Sequence, residues 1–142
     1  MDLKDLIGRK IVDIQINDEK DALKFVFESG LPIWLSAVGD CCSSSWFENL
    51  SGVEALIGHT INEVLDREMP PDQDNTGGPE YGECIRFYGW TFVTGYGRAD
   101  LEMRNSSNGY YGGSIEVGHV PLDQYNAERN PIENMKSIRE DI

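Results

Sequence analysis

Strict alternation of apolar and polar residues is the feature that most constrains the fold of this chain. In residues 98–104 every second side chain is apolar, namely Ala99, Leu101 and Met103. This period of two is typical of a strand that turns one face to the core. Strand-like patterns also occur at residues 9–16, 23–27, 31–37, 61–64, 84–88, 90–93 and 114–117. The sequence therefore predicts a strongly bent antiparallel β-sheet of about seven strands.

A central segment has helical spacing instead. Ser45 and Glu48 have the spacing of a capping box, which is typical of a helix N-terminus. The apolar residues that follow fall on one helical face: Trp46, Phe47, Leu50, Val53, Leu56 and Ile57. We therefore predict one central helix region that packs on the sheet.

The C-terminal residues predict a second helix. Asn130 and Pro131 form a strong helix start, since proline suits the first helical position. The apolar stripe comprises Ile132, Met135, Ile138 and Ile142. Such a helix either docks on its own domain or pairs with a second copy to form a homodimer. The predicted fold class is thus α+β, with a single domain at residues 1–118 and a linker plus amphipathic helix at 119–142.

Two nine-residue segments resemble each other. Residues 6–14 and 56–64 share four identical positions, and both read as a helix end, a glycine stop and an entering strand. Further strand patterns follow each copy. This echo indicates a pseudo-duplicated sheet.

The charge balance limits the partners. The chain has 12 basic and 25 acidic residues, a net charge of −13. This field repels nucleic acid and membrane surfaces, and it suits solubility, a cationic partner or imitation of a polyanion. Seven acids cluster in one segment, offset only by Arg67: Glu63, Asp66, Glu68, Asp72, Asp74, Glu80 and Glu83. Because no apolar run reaches membrane-spanning length and no signal peptide is recognisable, we expect a soluble cytoplasmic protein.

Two polar loops are the candidate functional surface. Residues 39–50 concentrate carboxylate, thiol and hydroxyl groups, and residues 104–113 combine an arginine with amides, tyrosines and glycines. Arg104 offers a planar fork for phosphate or carboxylate, and Tyr110 or Tyr111 can stack on a flat ring. The alternative for the second loop is a tight hairpin at Asn108-Gly109. The predicted ligand-binding residues are Asp40, Cys41, Cys42, Ser43, Ser44, Trp46, Arg104, Asn105, Ser106, Asn108, Tyr110 and Tyr111.

Catalysis and metal binding have weaker support in the residues. Cys41 or Cys42 could act as a nucleophile, but neither His59 nor His119 lies in a recognisable catalytic context. Structural cysteines are the favoured interpretation, and adjacent thiols do not form a disulfide framework. There is no zinc-ligand spacing and no calcium-loop pattern. We expect no metal, no cofactor and a binding protein rather than an enzyme.

Four motifs occur together: Gly39-Asp40-Cys41-Cys42-Ser43, Trp46-Phe47, Leu56-Ile57-Gly58 and the ten residues 104–113. In this combination the chain resembles, over about residues 3–117, a small uncharacterised domain family of bacteriophages and bacteria. The resemblance implies no established activity or site, but it implies a phage setting and hence the host cytoplasm. The leading hypothesis is a non-enzymatic protein that binds a small ligand such as a nucleotide signal and counters host defence. The alternative is an acidic inhibitor of a basic, nucleic-acid-binding host protein, and the third is a thiol-dependent enzyme.

Overall fold

Ten strands account for most of the described fold. The architecture is known from a computed structural model that describes residues 1–39, 43–75, 83–107, 112–121 and 135–138. Two short 3₁₀ turns, Leu3–Leu6 and Val53–Ala55, are the helical segments within these residues. The strands are β1 (Ile11–Ile16), β2 (Ala22–Phe27), β3 (Ile33–Gly39), β4 (Ser44–Ser51), β5 (Ile61–Asp66), β6 (Gln73–Asn75), β7 (Glu83–Thr94), β8 (Gly97–Ser107), β9 (Gly113–Gly118) and β10 (Lys136–Ser137).

The strands form two antiparallel sheets. Sheet 1 has the order β10-β1-β2-β3-β9, and sheet 2 has the order β4-β8-β7-β5, with β6 also beside β7. Each half of the chain thus places three successive long strands in one sheet and its fourth strand in the other. The first half contributes β1–β3 and exchanges β4, and the second contributes β5, β7 and β8 and exchanges β9. The chain therefore crosses between the sheets twice.

The internal echo lies where the two halves meet. The amide of Gly8 donates to the carbonyl of Ile61 at 3.0 Å, and the amide of Gly58 donates to the carbonyl of Ile11 at 2.7 Å. Both glycines have left-handed φ values, 90° and 88°. The first strand of each half also carries a bulge directly after its first residue. These reciprocal bonds and matched bulges relate the halves by an approximate two-fold arrangement, with Ile11 equivalent to Ile61.

Equivalent aromatic residues fill the core between the sheets. Phe25 of β2 and Phe92 of β7 are fully buried and pack edge to face, with ring centroids 6.2 Å apart. The alternation correctly places Leu23 and Phe27 in the core as well. The alternation in β1 would also place Val12 in the core with Ile14 and Ile16. Val12 is instead 43% exposed, because the bulge in β1 turns this side chain outward. The period of two was therefore a sound guide wherever the strand is regular.

The α+β prediction is wrong, and the predicted central helix region is one reason. Ser44–Ser51 is strand β4, followed only by the 3₁₀ turn Val53–Ala55. A bulge between Phe47 and Asn49 lets Phe47 face Met103 and Leu50 face Leu101. The extra residue spaces two inward apolar side chains three apart, which imitates a helical period. Two sheets of five strands each, with β6 counted in sheet 2, also replace the single bent sheet of about seven.

The predicted C-terminal helix is wrong as well where the structure describes it. Lys136–Ser137 form β10, which pairs with Gln15 and Ile16 of β1. Without β10, the outer edge of β1 would leave backbone donors and acceptors unpaired, and a short strand satisfies them. The rest of the predicted helix, 130–134 and 139–142, lies outside the described residues.

Replacing Ile138 by alanine is expected to lower the free energy of unfolding by about 2 kcal/mol or more. Ile138 is only 6% exposed and belongs to the core cluster, so truncation leaves a cavity. Lys136→Ala is the control, because its ion pair with Asp18 is 3.6 Å long and exposed on both sides, and it should cost less than about 0.5 kcal/mol. Urea unfolding measures both. Equal, small losses would contradict the docking of β10.

The part of the chain that the structure describes holds no helix with the length and apolar character of a membrane span.

Candidate functional site

The two passages between the sheets lie side by side and form what we call the crossover site: Gly39, Ser43, Ser45, Asn105 and Gly113. Gly39 at the end of β3 pairs with Gly113 at the start of β9. Ser45 of β4 pairs with Asn105 of β8. Under the approximate two-fold arrangement these two pairs are equivalent. Residues from both polar loops that the sequence singles out therefore lie next to each other at the crossover site.

Asn105 is the polar centre of this site. Asn105 is completely buried, and its Nδ2 donates to Ser45 Oγ at 2.9 Å and to Ser43 Oγ at 3.3 Å. Ser45 Oγ in turn donates to the carbonyl of Val38 at 2.9 Å. The Oδ1 of Asn105 has no hydrogen-bond partner among the described residues. A buried amide oxygen of this kind is poised to accept a hydrogen bond.

The two glycines leave room for these polar side chains. A Cβ on Gly39 would lie 2.7 Å from Ser43 Oγ. A Cβ on Gly113 would overlap Ser45 Oγ and lie 3.2 Å from the Cβ of Asn105. Only glycine therefore fits at both positions without displacing the hydrogen-bonded serines and Asn105.

Arg86 of β7 is the cationic group on the same face. It is the cross-strand partner of Asn105, and its Nε lies 3.1 Å from Asp72 Oδ2. Loss of hydration lowers the pKa of Arg86, but the Asp72 carboxylate and the Tyr88 hydroxyl outweigh it and raise the pKa above its ordinary value. The Tyr88 hydroxyl also accepts from the amide of Gly113 at 3.1 Å. A permanent cation, a hydroxyl and a backbone amide thus adjoin the crossover site.

Arg104 lies on the opposite face of sheet 2. Successive strand residues point to opposite faces, so Arg104 and Asn105 diverge. The Nε of Arg104 donates to Glu102 at 2.7 Å, and its guanidinium lies 3.6 Å from Glu48. Trp46, its cross-strand partner, also donates to Glu48, at 2.7 Å. Arg104 and Trp46 therefore belong to an outer cluster that neutralises the arginine with two carboxylates.

The sequence-predicted residues divide into three sets. Ser43 and Asn105 come together at the crossover site. The outward-facing set consists of Ser44, Trp46, Arg104 and Ser106, where Ser44 pairs with Ser106 and Trp46 with Arg104. The remaining predicted residues, Asp40, Cys41, Cys42, Asn108, Tyr110 and Tyr111, lie outside the described residues. Their part in a ligand site stays a prediction.

Sequence reasoning missed Ser45, Arg86 and Tyr88. A signal for Arg86 was present, because the two-residue turn after Thr94 pairs Thr94 with Gly97. Counting outward along an unbroken hairpin from that turn pairs residue 86 with residue 105. The position of the turn therefore fixes which residue lies beside Asn105.

Catalytic groups are scarce among the described residues. His59 stacks on Tyr96, with ring centroids 3.8 Å apart, and His119 Nδ1 lies 3.0 Å from the carbonyl oxygen of Pro32. The thiol of Cys84 is buried in β7. No group of three or more histidine, cysteine or acidic side chains within the described ranges could hold a metal ion. The polar set at the crossover site is thus suited to hydrogen bonding.

Comparison with known proteins gives the family. The domain described as "Domain of unknown function (DUF7448)" matches residues 4–117, most of the chain. The chain belongs to this family. The DUF7448 match begins within the first 3₁₀ turn and ends in β9, so it covers both halves and both passages between the sheets. It confirms the expected membership of an uncharacterised domain family.

A viral protein is similar to this DUF7448 chain. An uncharacterised protein of Acanthamoeba polyphaga mimivirus is 31% identical over 119 residues, which cover 78% of this chain and 88% of the viral protein. No solved structure matches the chain. The comparisons therefore identify the family, and the chemistry has to be argued from the crossover site.

Proposed function

We propose that this protein is a non-enzymatic binding module that takes a small anionic ligand of the nucleotide class at the crossover site. The observation that carries the proposal is Asn105, which is fully buried yet has an Oδ1 without a partner among the described residues. Leaving a buried acceptor unpaired costs about 1–3 kcal/mol. A ligand that donates an N–H or O–H to this oxygen recovers that energy.

The neighbouring groups favour an anion beside that donor. The Arg86 guanidinium is planar and always charged, so it suits phosphate or carboxylate oxygens. Its present partner, Asp72, is about half exposed, so a phosphate can compete for Arg86 without exposing a buried charge. A nucleotide combines both requirements, because base edges donate hydrogen bonds and phosphates carry the negative charge.

The proposed biological role is sequestration of such a ligand in an infected cell. The viral origin of the DUF7448 relative supports an infection setting. The scarcity of catalytic groups at the described crossover supports retention of the ligand rather than its conversion. In the phage setting that the sequence motifs suggest, retention of a nucleotide signal would counter a host defence.

Arg86→Gln is expected to weaken binding of the responding nucleotide about tenfold or more, since a charge-assisted hydrogen bond contributes about 1.5–3 kcal/mol. Arg104→Gln is the matched control on the opposite face of sheet 2 and should change affinity less than about twofold. Titration calorimetry with a panel of ribonucleotides measures both. The absence of binding by every nucleotide, or equal losses in the two variants, would sink the proposal.

A second candidate function is docking of the acidic surface on a basic protein. The net charge of −13 and the exposed acids Glu63, Asp66 and Glu68 favour it. Added salt separates the two functions. A charge-driven complex should weaken steeply above about 0.15 M salt, whereas a nucleotide held in close contact with Arg86 should respond much less.

A further inference from the structure

The two halves of the chain form two crevices at equivalent places, and strand β10 covers one of them. Crevice 1 lies along β1, β2 and β4, and crevice 2 lies along β5, β7 and β9. The strand registers equate four lining residues of crevice 1 with four of crevice 2. Ile16, Leu23, Phe47 and Leu50 of crevice 1 correspond to Asp66, Trp90, Ile115 and Val117 of crevice 2.

Strand β10 covers crevice 1. It extends sheet 1 beyond β1, and Ile138 directly after it lines the crevice and is only 6% exposed. Two acids of the first half hold this strand. Asp13 accepts from the hydroxyl of Ser137 at 2.8 Å, and Asp18 lies 3.6 Å from the ammonium of Lys136. The segment Lys136-Ser137-Ile138 is therefore bound in three ways: its backbone pairs with the edge of β1, two carboxylates contact Lys136 and Ser137, and Ile138 packs in an apolar crevice.

Crevice 2 has an equivalent strand edge, with two glutamates at the positions of the two aspartates. The equivalence of Ile11 and Ile61 places Glu63 at the position of Asp13 and Glu68 at that of Asp18, and both glutamates are exposed. Strand β5 pairs only with β7 among the described residues. Its other edge thus presents the arrangement that β1 uses to hold β10.

The walls of crevice 2 are correspondingly less buried. Leu23 and Phe47 of crevice 1 are 0% and 2% exposed, whereas their equivalents Trp90 and Ile115 are only partly buried. The volumes of the two crevices are about 160 Å³ and about 610 Å³. Ile138 lines crevice 1, whereas the apolar side chains that the N-terminal segment adds to the lining of crevice 2 are Met1 and Leu3. An apolar side chain entering from the β5 edge would bury these walls.

We propose that the outer edge of β5 and crevice 2 bind an extended segment of another protein, with a lysine or arginine two residues before a branched aliphatic residue. The segment adds a strand to sheet 2 as β10 does to sheet 1. Its aliphatic side chain enters crevice 2, and its basic side chain faces Glu68. Crevice 2 also includes Tyr88 and Gly113, which adjoin the crossover site, but Arg86 and Asn105 are not among its lining residues.

The probe is a capped peptide, Thr-Thr-Lys-Ser-Ile-Thr-Thr, added to the whole protein and followed by NMR. The amides of residues 63–66 and the indole N–H of Trp90 are expected to shift. Glu63→Gln combined with Glu68→Gln should weaken binding about fivefold, as the loss of two exposed charge contacts does. Asp13→Asn combined with Asp18→Asn is the matched control in the first half and should leave peptide affinity unchanged. A peptide with serine in place of isoleucine should not bind.

Three outcomes would overturn the proposal. Peptide-induced shifts at residues 13–16 would mean that the peptide replaces β10. Failure of the peptide to bind would mean that the β5 edge does not accept a strand of this chemistry. A concentration-dependent dimer that the Glu63 and Glu68 substitutions abolish would mean that a second copy is the occupant. Nucleotide binding at the crossover site is measured separately with Arg86→Gln, so failure of one proposal leaves the other standing.

Discussion

Replacing Gly52 by alanine is expected to lower the free energy of unfolding by about 3 kcal/mol. Gly52 joins β4 to the second half and has a φ of 79°, a left-handed conformation that costs an L-residue about 1–2 kcal/mol. A Cβ would also overlap the carbonyl oxygen of Arg98 and lie 3.0 Å from the Cα of Ala99. Because both are backbone atoms of β8, no side-chain rotation relieves the contact. Chemical denaturation measures the loss.

Gly58→Ala is the matched control. Its φ of 88° is as unfavourable, but a Cβ there would have nothing within 4 Å. The expected cost is therefore about 1 kcal/mol, the conformational part alone. If the two substitutions were equally costly, the close approach of β8 to Gly52 would contribute nothing, and that account of the junction between the halves would be wrong.

Phe92→Ala is expected to lower the free energy of unfolding by about 3–5 kcal/mol, and Phe25→Ala by a similar amount. Both rings are fully buried and contact each other between the sheets. The double variant should lose about 0.5–1.5 kcal/mol less than the sum, since the edge-to-face contact is removed only once. Thermal and urea unfolding of the four proteins closes this cycle.

Tyr96→Ala is the control for that cycle. Tyr96 also contacts an aromatic ring, that of His59, but it is 76% exposed. Its removal should cost less than about 1 kcal/mol, because little apolar area leaves water on folding. Strict additivity at Phe25 and Phe92 would show that the two halves do not stabilise each other through this contact.

The strands were the most predictable part of the fold. The regular alternation in β2 and β8 identifies their buried faces, because side chains in a strand alternate between the two sides of the sheet. The echo of residues 6–14 in 56–64 was also informative. It marks the two segments that bond to each other reciprocally through Gly8 and Gly58. These signals are local, so a sequence can reveal them.

The two helix predictions failed for a common physical reason. A bulge adds one residue to a strand, so Phe47 and Leu50 both face sheet 2 at helical spacing. At the other end of the chain, β10 forms because the edge of β1 supplies backbone partners. The local sequence pattern indicates neither the bulge nor the presence of a neighbouring strand edge. Pairing between distant strands therefore overrides the local helical preference.

The candidate site was predictable in part. Ser43 and Asn105, one from each predicted polar loop, do meet, but residues 44–50 and 104–107 of these loops belong to strands β4 and β8. Arg104 was predicted because it lies in the polar loop segment, and Arg86 was not considered. Strand alternation sends Arg104 to the outer face, where Glu102 and Glu48 engage it. Arg86 lies 19 residues before Asn105 in the chain but beside it in the sheet.

By itself the sequence determined the buried faces of the regular strands β2 and β8 and the repeat, since each depends on neighbouring residues and their spacing. Only the tertiary structure decided which sheet each fourth strand joins. That exchange places Ser45 and Asn105 against Gly39 and Gly113, and it leaves crevice 2 wider than crevice 1. The choice depends on pairing free energies between strands far apart in the chain, which no local pattern encodes.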